Sequence, residues 1–332
     1  MTGAAALAAA GRSGFLRPRR DIALPALIFL AFALLPPFAS LLAEQYLVDL
    51  ATRVMIFAVA AVALDLLVGY GGLVSFGHAA FGGLGAYAVG ILSAQGIDEA
   101  LISLPVAIAA AMLFALVTGI VCLRTKGVYF IMITLAFGQM IYFVATSLAP
   151  YGGDNGLTIA ARNTVAGFSL LKSDRAFYYV TLLCLLATYL FCRALVASRF
   201  GRVLRGAKEN AARMATIGFT VRRFQLVAYV ISGGLGGLSG FLLANSTEFV
   251  SPAFMSWQRS GELIVMVILG GVGTLDGAIV GAVAYLGAEE WLSRMIENWQ
   301  VIFGPLLVLV VLFARGGLIG LCARLWRWCG HA

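Results

Sequence analysis

The sequence predicts an all-α protein that crosses a membrane many times, and its composition is the first reason. Of the 332 residues, 61% are hydrophobic and only 11% are charged, whereas a soluble domain carries about 25% charged residues. The apolar residues fall into about ten runs, each long enough for a helix to cross a hydrocarbon core of ~30 Å. A helix in lipid satisfies its own backbone polar groups, so helices are the expected spanning elements. No polar linker divides the chain, and one membrane domain is therefore expected.

The number of spans is predicted as about ten, within a range of eight to ten. The count depends on residues 254–296, which form one helix if continuous and two if the glycines within 270–277 break it. A basic start and a basic end of the chain favour an even number of crossings, and a re-entrant pair would give the same parity. The predicted spans are residues 22–43, 46–68, 72–93, 101–123, 127–148, 176–196, 224–244, 254–271, 277–296 and 299–315.

The charged residues predict which side of the membrane each end lies on. Basic residues concentrate in an N-terminal arm, in the long loop 198–223 and in the tail, whereas acidic residues concentrate in the alternate loops. Lysine and arginine of short loops are retained in the cytoplasm, so both termini and the long loop are expected there. This placement accounts for the net charge of +8, and no nucleic-acid partner is expected. The chain then comprises a basic cytoplasmic arm (1–21), a transmembrane domain (22–315) and a cytoplasmic tail (316–332).

The loop 198–223 is the longest polar run in the sequence, and six predicted spans precede it. Its segment RVLRGAKENAARMA is rich in helix formers and ends near Gly218, a residue type that often stops helices. A basic helix at this place rests on anionic lipid headgroups or docks a soluble partner. The run from Glu209 to Ala212, followed by Gly218, favours docking.

Two glycine-rich segments resemble each other and predict interrupted helices. Residues 71–87 read GGLVSFGHAAFGGLGAY, and residues 270–285 read GGVGTLDGAIVGAVAY. Glycine-interrupted segments at matching positions of duplicated halves are typical of a transport path. Chance similarity between Gly/Ala-rich spans, or close helix packing alone, is the other interpretation. The candidate path residues are Asp65, Gly71, Gly72, Ser75, Gly77, His78, Gly82, Gly271, Gly273 and Thr274.

Three ionisable residues in or next to the apolar segments are considered as functional candidates, namely His78, Asp65 and Asp276. An intramembrane ionisable group is a functional candidate, but for His78 a neutral imidazole bonded to a nearby backbone carbonyl is preferred. Asp65 is expected to be paired, protonated or next to water, with proton coupling as the alternative. Asp276 is expected at a helix end, where free backbone N–H groups are available.

No motif for covalent chemistry is present. The nearest approach to a phosphate-binding loop, Gly167 to Lys172 and Ser173, lacks the glycine before the lysine. Cys322, Cys329 and His331 lack a fourth ligand and a familiar metal-site spacing. The chain is therefore expected to be neither an enzyme nor a metal protein.

Five stretches follow one another between residues 48 and 312. They are GYGGLVSFGHAAFGGLGAYAVG (69–90), GVYFIMITLAFGQM (127–140), GGDNGLT (152–158), GRVLRGAKENAARMATIGF (201–219) and GGVGTLDGAIVGA (270–282). Together they resemble the LivM-type permeases of branched-chain amino acid ABC importers. The resemblance implies a coupling helix in the loop 198–223, between spans six and seven, that fits a groove on an ATPase. The residues in question are Gly201, Arg205, Glu209, Asn210, Ala211, Ala212 and Gly218.

The same resemblance implies a permease subunit that forms a path for branched-chain or similar hydrophobic amino acids. Its implied partners are a second, LivH-type permease, two cytoplasmic ATPases that carry ATP and Mg, and a periplasmic substrate-binding protein. The chain itself is expected to bind no cofactor, and to lie as a multi-pass protein in a bacterial inner membrane.

Asp65 is one departure from the resemblance, because the family is expected to have a neutral Asn there. A fixed charge near a path changes what passes, so urea, short amides and other amino acids stay open as substrates. An ion-coupled secondary transporter is a further alternative, and paired intramembrane acids would mark it. A structural membrane subunit without a path is disfavoured, because the glycine breaks reduce helix stability without need.

Overall fold

The computed structural model describes residues 20–41, 46–168, 170–295, 301–305, 307–308 and 316–321. Most of these residues are helical, and two short strands pair with each other. Residues 301–305, 307–308 and 317–321 are also helical. The longer elements, in chain order, are α1 (Arg20–Leu41), α2 (Tyr46–Asp65), α3 (His78–Ala94), α4 (Ala100–Cys122), α5 (Val128–Ser147), β1 (Leu157–Thr158), α6 (Asp174–Ala197), α7 (Arg199–Thr216), α8 (Val221–Thr247), β2 (Phe249–Val250), α9 (Trp257–Gly270) and α10 (Leu275–Met295).

The predicted class, an all-α polytopic membrane protein, is confirmed. Among the described residues, five helices are long and apolar enough to cross a membrane, and the bent pair α9 and α10 would make a sixth. The shorter helices Leu24–Ala39 and His78–Ala94 are apolar as well. The count of ten spans therefore stays a prediction. The five long helices are Tyr46–Tyr70, Ala100–Cys122, Val128–Ser147, Asp174–Ala197 and Val221–Thr247.

Helices α2 and α8 form the centre of the bundle. The most apolar window of α2 is 67% buried inside the protein, and that of α8 is 61% buried, against 22% for α5. The peripheral helices α4, α5 and α6 turn large apolar side chains outward, among them Leu113, Phe143 and Leu183. α4, α5 and α6 therefore present an apolar outer surface, as expected for helices at the edge of a membrane bundle.

Glycines allow α3 and α8 to approach each other closely. A Cβ atom on Gly85 would lie 2.8 Å from the Cα atom of Gly237, and one on Gly240 would overlap the carbonyl of Gly82. Helix association in lipid depends on close packing of small residues. The glycine series that the sequence presents in this region therefore serves helix packing, whatever else it does.

The segment between α5 and α6 is tied to the end of α8. β1 pairs antiparallel with β2, with Leu157 opposite Val250. The guanidinium of Arg162 forms ion pairs with Asp174 at 2.6 Å and Glu248 at 3.3 Å. These contacts join three elements at one end of the bundle into a single platform.

Both glycine-rich segments interrupt helices. α9 ends at Gly270 and α10 begins at Leu275, with an angle of 115° between them, which agrees with the predicted break. Residues 71–77 are not helical, and α3 begins only at His78. The predicted span 72–93 is therefore wrong at its start, because its first residues form an irregular segment.

Close packing of α3 on α8 predicts different effects for the same substitution at two helical glycines. Gly85→Ala should lower the thermal unfolding midpoint in detergent, because overpacking a tight contact costs about 1–3 kcal/mol. Gly287→Ala is the matched control, since nothing lies within 4 Å of a Cβ atom there. The control should keep or raise the midpoint, because Ala is a better helix former than Gly by about 1 kcal/mol. Equal midpoints for the two variants would contradict the packing assignment.

Candidate functional site

The two interrupted segments meet inside the bundle. We call residues 71–77 the first break and residues 271–274 the second break. α2 continues as a π-helical turn, Leu66–Tyr70, and this turn brings Gly69 against Gly273 of the second break. A Cβ atom on Gly69 would lie 2.5 Å from the backbone N of Gly273, so only glycine permits this approach.

Asp65 joins α2 to the second break by a direct hydrogen bond. Its Oδ1 accepts a hydrogen bond from the backbone N–H of Gly273 at 2.8 Å, and the residue is fully buried. Gly273 has a φ of +82°, a conformation that glycine adopts without strain. The carboxylate therefore satisfies an N–H group that the irregular backbone leaves without a helical partner.

The first break is held by side chains of α5 and α9. Phe76 N–H donates to the hydroxyl of Thr134 at 3.2 Å, and Ala79 N–H donates to the hydroxyl of Ser260 at 3.1 Å. Within the break, the Ser75 hydroxyl accepts from the Gly77 N–H at 3.4 Å. Backbone groups that a helix would satisfy are thus satisfied by three hydroxyl groups.

His78 begins α3 immediately after the first break. It is 1% exposed, and its ring meets that of Phe81 edge-on at 5.4 Å. Neither ring nitrogen has a hydrogen-bond partner within the part of the chain that is described. The expected bond to a backbone carbonyl is therefore absent there.

Polar helix α7 contacts the first break through one lysine. The Nζ of Lys208 donates to the carbonyl of Gly69 at 2.6 Å. Its aliphatic stem covers Gly72, where a Cβ atom would lie 3.0 Å from the Lys208 Cγ. Gly72 has a φ of +67°, so both the backbone conformation and the lysine stem favour glycine.

The body of α7 packs one face against the bundle and exposes its far end. Gly201, Val203, Leu204 and Ala207 are buried, and Gly201 is close enough to the backbone of Val196 that a Cβ atom would overlap it. Helix formers and a Ser198 N-cap, whose hydroxyl accepts from Phe200 N–H at 3.1 Å, start the helix. The polar run therefore folds as a docked amphipathic helix.

A kink divides α7 at Asn210. Its backbone is extended, with φ −154° and ψ 95°, and its Oδ1 accepts from Arg213 N–H at 2.9 Å. Asn210 is thus the N-cap of a short second helical piece that reaches Thr216. Gly218 follows with a φ of +98° and nothing within 4 Å of its Cβ position, so it ends the piece in open space.

The surface beyond the kink is accessible. Ile217 is 64% exposed and Phe219 38% exposed, and Glu209, Ala212 and Gly218 are exposed with them. Apolar side chains beside polar ones on a terminal turn favour contact with another protein. We call residues 209–219 the exposed elbow.

A cavity of about 390 Å³ lies between α2, α3, α8 and α9. Its lining changes along one face of α2, from Asp49 and Arg53 near the helix start to Ile56 and Ala60 further on. We call the charged end the mouth and the other end the floor. The remaining lining residues are Tyr46, Leu50, Phe57, Ala79, Gly82, Gly83, Ser239, Gly240, Leu243, Ser246, Thr247, Phe254, Arg259, Leu263 and Glu290.

The structure groups the predicted path residues in two places. Asp65, Gly72 and Gly273 lie around Gly69, where both breaks meet α7. Thr274 closes the second break on itself, since its hydroxyl donates to the Gly271 carbonyl at 2.6 Å. The first break and the start of α3 hold the others, namely Gly71, Ser75, Gly77, His78 and Gly82.

The predicted coupling residues occupy two separate parts of α7. Gly201 is buried against the bundle, and Arg205 donates to the Val196 carbonyl at 3.0 Å, so both help to seat the helix. The exposed elbow contains the rest, Glu209, Asn210, Ala211, Ala212 and Gly218.

Several residues that complete the site were not singled out from the sequence. Lys208 is one of seven basic residues in its loop, and no local pattern distinguishes it. Asp49 and Arg53 sit four residues apart, a spacing that places them on one helix face, but a four-residue spacing is common. Thr134 and Ser260 are remote from the first break in sequence, so only the tertiary structure reveals them.

Residues 46–312 match the protein family described as "Branched-chain amino acid transport system / permease component". Among curated proteins, the high-affinity branched-chain amino acid transport system permease protein LivM of Escherichia coli (strain K12) is 26% identical over 324 residues, which cover 91% of this chain and 75% of that protein. The similarity to LivM thus extends over nearly the whole length of this chain.

Two further relatives bear related names. The permease protein BraD of Pseudomonas aeruginosa is 25% identical over 296 residues, covering 83% of this chain and 95% of BraD. The permease protein LivH of Salmonella typhimurium is 27% identical over 169 residues, covering 50% of this chain and 53% of LivH. No solved structure matches the chain.

The bond between Asp65 and Gly273 predicts a ranking of two substitutions. Asp65→Ala removes the acceptor and leaves a buried N–H group unsatisfied, which costs about 1–3 kcal/mol. Asp65→Asn keeps an acceptor oxygen and should lower the thermal unfolding midpoint in detergent by clearly less. If Asp65→Asn destabilises as much as Asp65→Ala, the negative charge rather than the hydrogen bond is what the site requires.

Proposed function

Because the chain belongs to the permease component family of branched-chain amino acid transport systems, we propose that it is the translocating subunit of an ATP-driven importer for branched-chain amino acids. Its relatives LivM and BraD are named as transport permease proteins for these substrates. The proposed substrate class also includes similar hydrophobic amino acids. One oxygen of the Asp65 carboxylate accepts from the Gly273 N–H, so a structural role accounts for this residue without a different substrate.

The proposed arrangement in the membrane has ten crossings. Helices α1 to α6 precede α7 and give six, and α8, α9, α10 and the segment 299–315 give four more. The arm 1–21, the loop 198–223 and the tail 316–332 then lie in the cytoplasm of a bacterium, as their basic residues favour. The mouth of the cavity, at the opposite end of α2 from Gly69, faces the periplasm in this arrangement.

In this proposal the exposed elbow is the part of a coupling helix that enters a groove on an ATPase. Its exposed Ile217 and Phe219 offer apolar contact, and Glu209 offers a charge. The two cytoplasmic ATPases carry ATP and Mg, while this chain carries out no covalent chemistry and binds no cofactor. A LivH-type second permease and a periplasmic substrate-binding protein complete the proposed importer.

The observation that carries the proposal is the contact of α7 with the first break and, through Gly69, with the second break. Lys208 holds the Gly69 carbonyl, Gly69 touches Gly273, and Asp65 holds the Gly273 N–H. A displacement of α7 by a bound ATPase is therefore passed to the two interrupted helices without an intervening flexible loop. Interrupted helices form the substrate and ion sites of many transporters.

Docking of the ATPases predicts the effect of Gly218→Val. A β-branched residue does not tolerate a φ of +98°, so the end of the elbow must rearrange. We expect the affinity-tagged chain to insert normally and to lose the ATPase subunits on purification. Arg202→Met, which removes a charge from an exposed position of the same helix, should retain them. Full recovery of the ATPases with Gly218→Val would contradict the docking assignment.

Coupling through the breaks predicts a different outcome for Lys208→Met. This variant keeps the aliphatic stem over Gly72 but lacks the ammonium group, so the ATPases should still assemble. In proteoliposomes, amino acid uptake per ATP hydrolysed should fall about 10-fold, the equivalent of one hydrogen bond from a charged donor. Lys208→Arg should restore part of the ratio. An unchanged ratio in Lys208→Met would remove Lys208 from the coupling route.

A further inference from the structure

We propose that the mouth of the cavity is a binding site for the charged head of a free zwitterionic α-amino acid, with the floor taking an aliphatic side chain. The ammonium group pairs with Asp49 and the carboxylate pairs with Arg53. This inference depends on the proposed function in one respect, because the ligand is taken to be the transported amino acid. Neither residue belongs to the breaks or to α7.

Asp49 and Arg53 present opposite charges on one face of α2, one helical turn apart. Both line the cavity. Within the described ranges, Asp49 forms no ion pair, and the acid nearest Arg53 is Glu289 at 3.8 Å, the limit of an ion pair. The ammonium and carboxylate of an amino acid lie on the same carbon atom, so two neighbouring groups of opposite sign, one without an ion pair and one in a long ion pair, suit them.

The other charges near the mouth already have partners. Arg259 binds Glu262 at 2.7 Å, and Arg294 binds Glu290 at 3.1 Å. An exposed pair of this kind contributes little to stability, but it leaves each group less free to bind a ligand. Asp49 and Arg53 are therefore the charges of the mouth that are most available.

The lining below the mouth matches an aliphatic side chain. One turn beyond Arg53, α2 contributes Ile56 and Phe57, then Ala60, while Leu243 and Leu263 face them from α8 and α9. A site with convergent polar groups at one end and apolar walls is typical of small-ligand pockets. The order of charge and then apolar surface along α2 is the order of head and side chain in leucine.

Size and position agree with this ligand. The volume of about 390 Å³ falls within the range of about 300–1,000 Å³ seen for small-molecule sites. Ala79, which also lines the cavity, follows His78 directly after the first break. A ligand bound at the mouth would thus lie directly ahead of the interrupted helices through which the proposed path continues.

The proposal is tested by protection of a cysteine placed in the cavity. Ser246 lines the cavity and is partly exposed, so Ser246→Cys is a nearly isosteric probe. The full-length chain, with its five native cysteines replaced by alanine, is alkylated with N-ethylmaleimide in phosphatidylglycerol nanodiscs in the presence of leucine. We expect leucine to slow alkylation, and 3-methylbutylamine and 4-methylpentanoate, which each lack one charge, to need about 10-fold higher concentrations.

Charge variants give the matched comparison. Asp49→Asn and Arg53→Gln should each raise the leucine concentration for half-protection about 10-fold, whereas Arg175→Gln, on an exposed arginine outside the cavity, should not change it. Absence of protection by leucine, or equal protection by the two analogues, would overturn the proposal. The proposal would also be overturned if alkylation were slow in phosphatidylethanolamine nanodiscs and leucine did not slow it in phosphatidylglycerol nanodiscs, because a lipid headgroup would then be the ligand.

This assay needs neither ATP nor the ATPases. A chain that binds leucine but recovers no ATPase subunits would contradict the proposed function and support the site. If the chain with Asp49 and Arg53 intact assembles with the ATPases and transports leucine, but leucine does not protect the Ser246→Cys probe, the site alone is contradicted.

Discussion

Backbone polar groups inside a membrane protein must be satisfied by the protein itself, and two interrupted helices make this requirement severe. An N–H or C=O group without a partner in lipid costs several kcal/mol. Here the Gly273 N–H is satisfied by Asp65, the Gly69 carbonyl by Lys208, and the Phe76 N–H by Thr134. These partners come from α2, α7 and α5, so the breaks fix the relative positions of three helices.

Glycine is what allows the breaks to meet. Gly69 and Gly273 approach until a single Cβ atom would collide with the opposing backbone, and Gly72 leaves room for the lysine stem. The same residue type packs α3 on α8, where it serves contact between regular helices. The dense glycine series thus has two physical roles: it lets the two breaks meet, and it lets α3 pack closely on α8.

The sequence predicts the class of fold well, because apolar runs of spanning length and a positive-inside pattern depend on local composition. It also predicts the second break, since the glycines of 270–277 interrupt an otherwise helical pattern. The predicted start of the span 72–93 is too early, because residues 72–77 are apolar enough to pass as part of a helix, although the Phe76 N–H is bonded to Thr134 and the helix begins only at His78. Contacts between residues remote in sequence carry no local signal.

The same limit applies to the candidate site. Asp65 stood out because a carboxylate in a span is expensive, and the structure supplies its partner. Lys208 did not stand out, because a lysine in a basic loop is unremarkable until its position against Gly69 is known. Asp49 and Arg53 become a candidate ligand pair only when the cavity between α2, α8 and α9 is seen.

The central claim is that α7 and the breaks move as one mechanical unit. Pulsed electron paramagnetic resonance measures this directly, with spin labels at Arg202→Cys on α7 and Gly287→Cys on α10 of a complete transporter in which the five native cysteines of this chain are replaced by alanine. Because α10 follows the second break, trapping ATP on the ATPases should leave the distance distribution between the two labels unchanged, and the same treatment should shift or broaden it when Lys208→Met is added. A distribution that shifts with ATP while Lys208 is present, or that stays unchanged in Lys208→Met, would contradict the account.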